Sequence, residues 1–121
     1  RTQPIEVSLR LCDDAEIRAL NCEWRGKDQP TDVLSFPQFE APLPSWAPTL
    51  GDVVISVETA ARQALEQGHG LSDELVILFT HGMLHLLGFD HHTAEDREKM
   101  VAAETRILLP RGLSAGLIAR T

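Results

Sequence analysis

Disulfide potential, positive charge and long apolar runs are all scarce in this chain. Two cysteines in 121 residues, Cys12 and Cys22, do not make a disulfide framework. Cys12 follows a strand pattern and Cys22 falls on an expected helix. Both read as reduced, partly buried thiols, the usage of a cytoplasmic protein. Lysine and arginine number 11 against 18 aspartates and glutamates, a formal net charge of −7 at pH 7. That counts against nonspecific nucleic-acid binding driven by bulk charge. It leaves room for a local positive cleft of the kind a bound divalent cation helps create. The longest uninterrupted apolar run is Leu75 to Phe79, far too short to cross a bilayer. No charged-then-apolar leader opens the sequence. It starts with Arg1 rather than Met and enters a strand-like pattern almost at once, so further N-terminal residues are expected to precede it.

What is present fits one compact domain over residues 1–121, with 43% hydrophobic residues and neither internal repeats nor low-complexity tracts. Ile5, Val7, Leu9 and Leu11 alternate with Glu6, Ser8 and Arg10, the pattern of a half-buried strand. Asp13 or Asp14 suits the cap of a helix in which Ile17, Leu20 and Trp24 share a face. Arg25 to Pro30 reads as a polar loop, and Thr31 to Phe36 as a second strand bracketed by prolines. The Pro-rich stretch Ala41 to Pro48 reads as a surface loop pinned by Trp46. Val53, Val54 and Ile55 make a third strand. A helix follows with Val57, Ala60, Ala61, Ala64 and Leu65 inward, ending near Gly68. Ser72 is placed to cap a central helix, with Asp73 and Glu74 at its positive end and Leu75, Leu78, Phe79, Leu86 and Leu87 as its buried stripe. A last helix starts at Thr93, carries Met100, Val101, Ile107 and Leu108 as apolar positions, and stops at Pro110. The tail beyond Pro110 is weakly patterned and expected to be poorly ordered or loosely docked. Strands early and helices late give an α+β fold, a small mixed β-sheet packed with helices.

The chemistry concentrates in His81-Gly-Met-Leu-His85-Leu-Leu-Gly88-Phe-Asp-His91. His81 and His85 are four residues apart and share one helix face. Gly88 comes where the helix must end and the chain reverse, a left-handed position that glycine enters without a Cβ clash. The reversal brings His91 back toward the other two. Three neutral imidazoles with an open fourth position compose a catalytic zinc site at the end of the central helix. The spacing is the ligand skeleton of the metzincin peptidases. Those enzymes carry a glutamate after the first histidine as general base. This chain has Gly82 there, which cannot take a proton. His69, between glycines, and His92, beside His91, read as solvated. Asp90 has two readings, a carboxylate that orients a ligand or a turn residue.

Read with two further blocks, the segment resembles the YbeY family of bacterial metal-dependent endoribonucleases. His81 to His91 is similar to that family's histidine signature, Gly82 included. Arg25-Gly-Lys-Asp-Gln-Pro-Thr-Asp-Val-Leu-Ser-Phe-Pro37 resembles its loop-and-strand block, and Leu50-Gly-Asp-Val-Val-Ile-Ser56 its next strand. The resemblance implies an α+β fold and one zinc ion, Zn2+, on His81, His85 and His91. It implies single-strand-specific RNA cleavage in maturation of the 3′ end of the 16S ribosomal RNA precursor, and ribosome quality control. Single-stranded RNA and the small ribosomal subunit are the implied partners, with no membrane. Arg25 matches the family's functionally important arginine. The chain departs in two ways. The helix that usually precedes the first strand is expected to be missing from it, and its true absence would leave part of the core exposed. Its loop from Gln38 to Pro48 also looks long.

In that reading a three-histidine site keeps the full charge of its ion and lowers the pKa of bound water toward roughly 7. Arg25, planar and permanently charged, grips the scissile phosphate. Its alternative is a surface arginine favourable to a helix dipole. Lys27 reads as solvated, with a contact to the RNA backbone as its alternative. Either the metal centre needs no general base or a carboxylate such as Asp52 serves. The rival readings are a metzincin-like zinc peptidase, opposed by Gly82, and a noncatalytic ribosome-docking module, which needs a fourth protein ligand to close the site.

Overall fold

Strand alternation, capping residues and helix-ending glycines translate directly into elements. The computed structural model describes residues 5–39, 49–113 and 115–120, so the Pro-rich segment and Trp46 lie outside the described residues. In order the elements are β1 (Glu6–Cys12), α1 (Asp14–Arg25), β2 (Val33–Pro37), β3 (Thr49–Ser56), α2 (Val57–Gln67), α3 (Leu71–Leu86) and α4 (Ala94–Leu108). Single 3-10 turns follow at Leu109–Arg111 and Ile118–Arg120. Asp13 caps α1 by accepting the Glu16 N–H at 2.8 Å, and Thr93 caps α4 by accepting that of Asp96 at 3.1 Å. No helix among the described residues is long and apolar enough to cross a membrane.

The three strands form one mixed sheet in the order β1-β3-β2. β1 runs parallel to β3 with Leu9 opposite Val53, and β2 runs antiparallel to it with Ser35 opposite Val53. Because side chains alternate along β3, the sheet has two different faces. Leu50, Val53 and Ile55 pack with Ala60 of α2 and with Leu78 and Leu86 of α3. Val54 and Leu34 pack with Ile17 of α1 on the other side. A third cluster, Leu84, Met100 and Ile118, joins α3 to α4 and the tail. Each such fully buried aliphatic side chain contributes about 1.5–3 kcal/mol. The central helix is thus held between the sheet and α4, and its C-terminal turns are fixed from both sides.

Several expectations are corrected. Gly70, not Ser72, is the N-cap of α3, and no side chain caps it. Glu74 lies in the first turn of α3, as expected, but it is buried. Its side chain has no exposed surface and accepts two hydrogen bonds from Arg120, at 2.6 and 2.7 Å. That pair and buried Ile118 anchor the tail firmly, where loose docking was expected. His69 is half-buried and bonded to Glu74 at 2.7 Å, so it is no solvated histidine.

Leu65 is exposed, because it sits one position past the Ala60–Ala64 stripe and so about 100° round the helix. Leu87 is exposed because it follows the last helical residue. Trp24 is 65% exposed, with Phe36 against one edge. Leu9 and Leu11 are about half exposed, so β1 is less covered than its alternation suggested.

Candidate metal centre

The C-terminal half of α3 carries His81 and His85 on one face, as the four-residue spacing requires. Leu87 ends the helix and Gly88 reverses the chain at φ +103°, its N–H donating to the His85 carbonyl at 3.0 Å. Phe89 N–H then bonds the Leu84 carbonyl at 3.0 Å, which turns the following segment back along the helix. The Asp90 carboxylate accepts the His92 N–H at 3.2 Å, so Asp90 serves the turn that presents His91. The three rings converge, with centroids 4.6 Å apart for His81 and His85, 5.3 Å for His85 and His91, and 5.8 Å for His81 and His91. One ligand atom from each lies within 4.8 Å of the others. His81 is buried, His85 half-buried and His91 exposed, so the cluster opens to solvent on the His91 side. His92 stacks on His91 but is no member of the group.

The ring orientations suit a cation. His85 Nδ1 lies 3.0 Å from the Phe89 carbonyl oxygen. A carbonyl only accepts, so Nδ1 carries the proton and Nε2 offers a lone pair. That Nε2 is 3.1 Å from His81 Nε2. Two nitrogens bound at 2.0–2.1 Å to one tetrahedral ion stand about 3.3 Å apart. Burial, and then the neighbouring charge of His81, push the His85 pKa down to about 4, with His91 and Arg25 adding to the effect. His85 is therefore neutral at neutral pH, the form a metal needs. The donor set and its orientation fit a zinc-type ion. No carboxylate belongs to the group, and no fourth protein ligand closes it among the described residues.

The sequence block that carries these histidines is not isolated. A family model described as "Endoribonuclease YbeY" matches residues 1–111. The chain belongs to this family. It is 51% identical over 117 residues to the Endoribonuclease YbeY of Heliobacterium modesticaldum, a match covering 89% of this chain and 70% of that protein. The Endoribonuclease YbeY of Agrobacterium fabrum is 50% identical over 112 residues, covering 92% of this chain and 67% of the relative. The chloroplastic Endoribonuclease YBEY of Arabidopsis thaliana is 51% identical over 107 residues, which span 88% of this chain but 18% of that longer protein. Among solved structures, the solution structure of TM1509 from Thermotoga maritima aligns with a TM-score of 0.58 and 29% identity over 91% of this chain and 73% of the other.

In this YbeY-family chain the position of the metzincin glutamate is closed by packing as well as by chemistry. Gly82 faces the sheet. A Cβ there would come within 2.7 Å of Val53 Cγ1 and 3.1 Å of Ser35 Oγ. The Ser35 hydroxyl also donates to the Gly82 carbonyl at 3.1 Å. The comparisons support neither the peptidase reading nor that of a noncatalytic module.

The remaining expected residues separate. Arg25 is the last residue of α1, exposed, and near enough for its charge to act on His85. Lys27 is exposed. Asp52 lies on the sheet face that carries α1, in a groove with Arg10, Leu20, Trp24 and Phe36, away from the histidines, so it is no general base for this centre. Sequence reading missed Glu104. It is 1% exposed on α4, with Oε2 3.5 Å from His81 Nδ1. The signal was there to read, because Glu104 stands midway between the apolar positions Met100 and Leu108, at four-residue steps on one stripe.

Proposed function

We propose that this chain is a single-strand-specific, metal-dependent endoribonuclease. Its substrate is the 3′ end of the 16S ribosomal RNA precursor, on or near the small ribosomal subunit in the cytoplasm. The observation that carries the reading is the convergence of three imidazole ligand atoms within 4.8 Å in a chain of the Endoribonuclease YbeY family. His81, His85 and His91 hold one zinc ion. Bound there, zinc would supply a Lewis acid for a phosphoryl oxygen and an acidified water as nucleophile.

The chain's own groups do the rest. The Phe89 carbonyl keeps His85 in the tautomer that leaves Nε2 free. Exposed His91 marks the open side, by which a phosphodiester reaches the centre. Arg25 supplies a fixed positive charge and a planar pair of donors to the scissile phosphate and to the charge that grows on it. This local positive site works against the domain's net charge of −7, so recognition rests on the cleft rather than on bulk attraction.

The decisive test is cleavage of a labelled single strand carrying the small-subunit ribosomal RNA 3′ end, with the parent beside an identically purified His85→Ala protein. Cleavage by the parent alone establishes the activity. Equal cleavage by both identifies a contaminant and withdraws it. Product ends then separate the two attacking groups, since attack by the ribose 2′-hydroxyl leaves a cyclic phosphate and attack by water does not.

A further inference from the structure

Glu104 is an acid in an apolar stripe, and burying a carboxylate is costly unless partners compensate it. Its Oε2 accepts the backbone N–H of Leu117 at 3.1 Å and faces His81 Nδ1 at 3.5 Å. Its Oε1 and His81 Nδ1 are both buried without a hydrogen-bond partner. The carboxylate oxygen nearest His81 Nδ1 is Oε2, and the 3.5 Å between them is a few tenths of an ångström beyond a hydrogen bond.

The neighbouring ligand shows why this gap matters. His85 has its tautomer set by a carbonyl, so its Nε2 is an acceptor. His81 Nε2 stands 3.1 Å from it. If His81 carried its proton on Nε2, that proton would sit between the two ligands and exclude a cation. The opposite tautomer, with the proton on Nδ1, frees both Nε2 lone pairs. A carboxylate only accepts, so Glu104 favours the Nδ1–H form and opposes the other.

We propose that Glu104 is a positioning residue of the metal centre. It accepts the Nδ1–H of His81 and so holds His81 Nε2 unprotonated and turned toward the ion. The inference rests on the ligand assignment above. The tail completes the device. Leu117 N–H steadies the carboxylate, and Gly116 lies so close that a Cβ there would come within 2.7 Å of the Glu104 side chain. The segment after α4 therefore closes over the back of the metal centre.

The test uses the full chain, Zn2+ titrated against a competing chromophoric chelator, and side-chain 15N spectra of the zinc-loaded protein. Parent, Glu104→Gln and Glu104→Met are compared. Outer-sphere partners of metal-bound histidines are typically worth about 10–100-fold in affinity. Glu104→Met should lose affinity in that range, and Glu104→Gln, which keeps an acceptor oxygen but no charge, should lose less. The parent spectrum should show His81 bound through Nε2 with a slowly exchanging Nδ1–H, kept in the glutamine variant and lost in the methionine one. A pure packing role predicts the reverse for Glu104→Met, an apolar side chain of similar volume, which would then bind zinc like the parent.

Affinities of both variants within about twofold of the parent overturn the proposal, as does His81 bound through Nδ1. If Glu104→Met fails to fold, the parent spectrum and the glutamine variant still decide. A parent that binds no Zn2+ overturns the metal assignment itself, whereas a parent that binds it with unaffected variants removes only the role of Glu104.

Discussion

Val53 Cγ1 occupies the space into which any side chain at Gly82 would have to grow, 2.7 Å from where a Cβ would sit. The same glycine carbonyl accepts the Ser35 hydroxyl, so α3 is seated directly on β2 and β3. Adding atoms to a well-packed contact costs about 1–3 kcal/mol. Gly82→Ala is expected to lose stability in that range by urea unfolding. Gly82→Glu should lose more, since it drives a carboxylate into the sheet. Restoring the metzincin residue will therefore not create a peptidase. Metal-dependent digestion of an unstructured protein by a stably folded Gly82→Glu chain would refute this account of the site.

Each of the three histidines is expected to be needed for metal. His81→Ala, His85→Ala and His91→Ala should each weaken Zn2+ binding by more than the 10–100-fold typical of outer-sphere partners. Chelator treatment of the parent should lower its melting temperature, because an ion that binds only the folded state stabilises it by mass action. His91 is the sharpest case, being exposed and delivered by a turn rather than by the helix. Full metal retention by His91→Ala, measured by metal analysis after dialysis, would remove it from the ligand set.

Arg25 is expected to act on the substrate and not on the ion. Arg25→Ala should slow RNA cleavage by about 10²–10³, the usual cost of one donor aimed at developing charge, with metal content unchanged. Arg25→Lys should recover only part, since an ammonium lacks the planar pair of donors. Parallel loss of metal and activity in Arg25→Ala would sink the assignment.

The Glu74–Arg120 pair predicts that the tail is structural. Burial alone would raise the Glu74 carboxyl, but hydrogen bonds from Arg120 and His69 outweigh it and hold the group below its ordinary value. Removing one partner of a buried pair typically costs about 3–5 kcal/mol. Arg120→Ala should fall in that range by chemical denaturation, and the double variant with Glu74→Gln should recover part of the loss. An Arg120→Ala protein as stable as the parent would show that the tail does not hold α3.

Asp14 gives a pH-dependent prediction. Hydrogen bonds from Ser56, Thr59 and Arg62 lower its pKa from 3.8 to about 2. A carboxyl lowered in the folded state contributes stability that is present above the unfolded value and lost as pH falls through the folded one. Its contribution should be complete near neutral pH and should vanish between about pH 4 and about pH 2. Asp14→Asn is expected to cost about 0.5–1 kcal/mol at pH 7, since solvent screens a group this near the surface. The gap to the parent should close in acid, as followed by denaturation at a series of pH values. A gap that stays constant down to pH 2 would place the effect elsewhere.

Much of this molecule was legible without coordinates because its signals are local. Asp13 and Thr93 cap helices through their own nearby N–H groups. The spacing of His81 and His85 fixes their shared helix face, and Gly88 marks the reversal that returns His91, since only short-range backbone geometry is involved. The blocks shared with the YbeY family run through the same segments. Partners far apart in sequence were decided by tertiary structure alone. Glu74 was readable as an acid in the first turn of α3, but not as a buried one held by Arg120, 46 residues away. Asp52 looked available as a base until strand alternation turned it to the α1 face. Glu104 came to face His81 only when α4 packed against α3. A sequence specifies what each residue can do within a few turns of itself. Which charge loses its water, and which group then faces it, is set by the packing of elements that no local signal brings together.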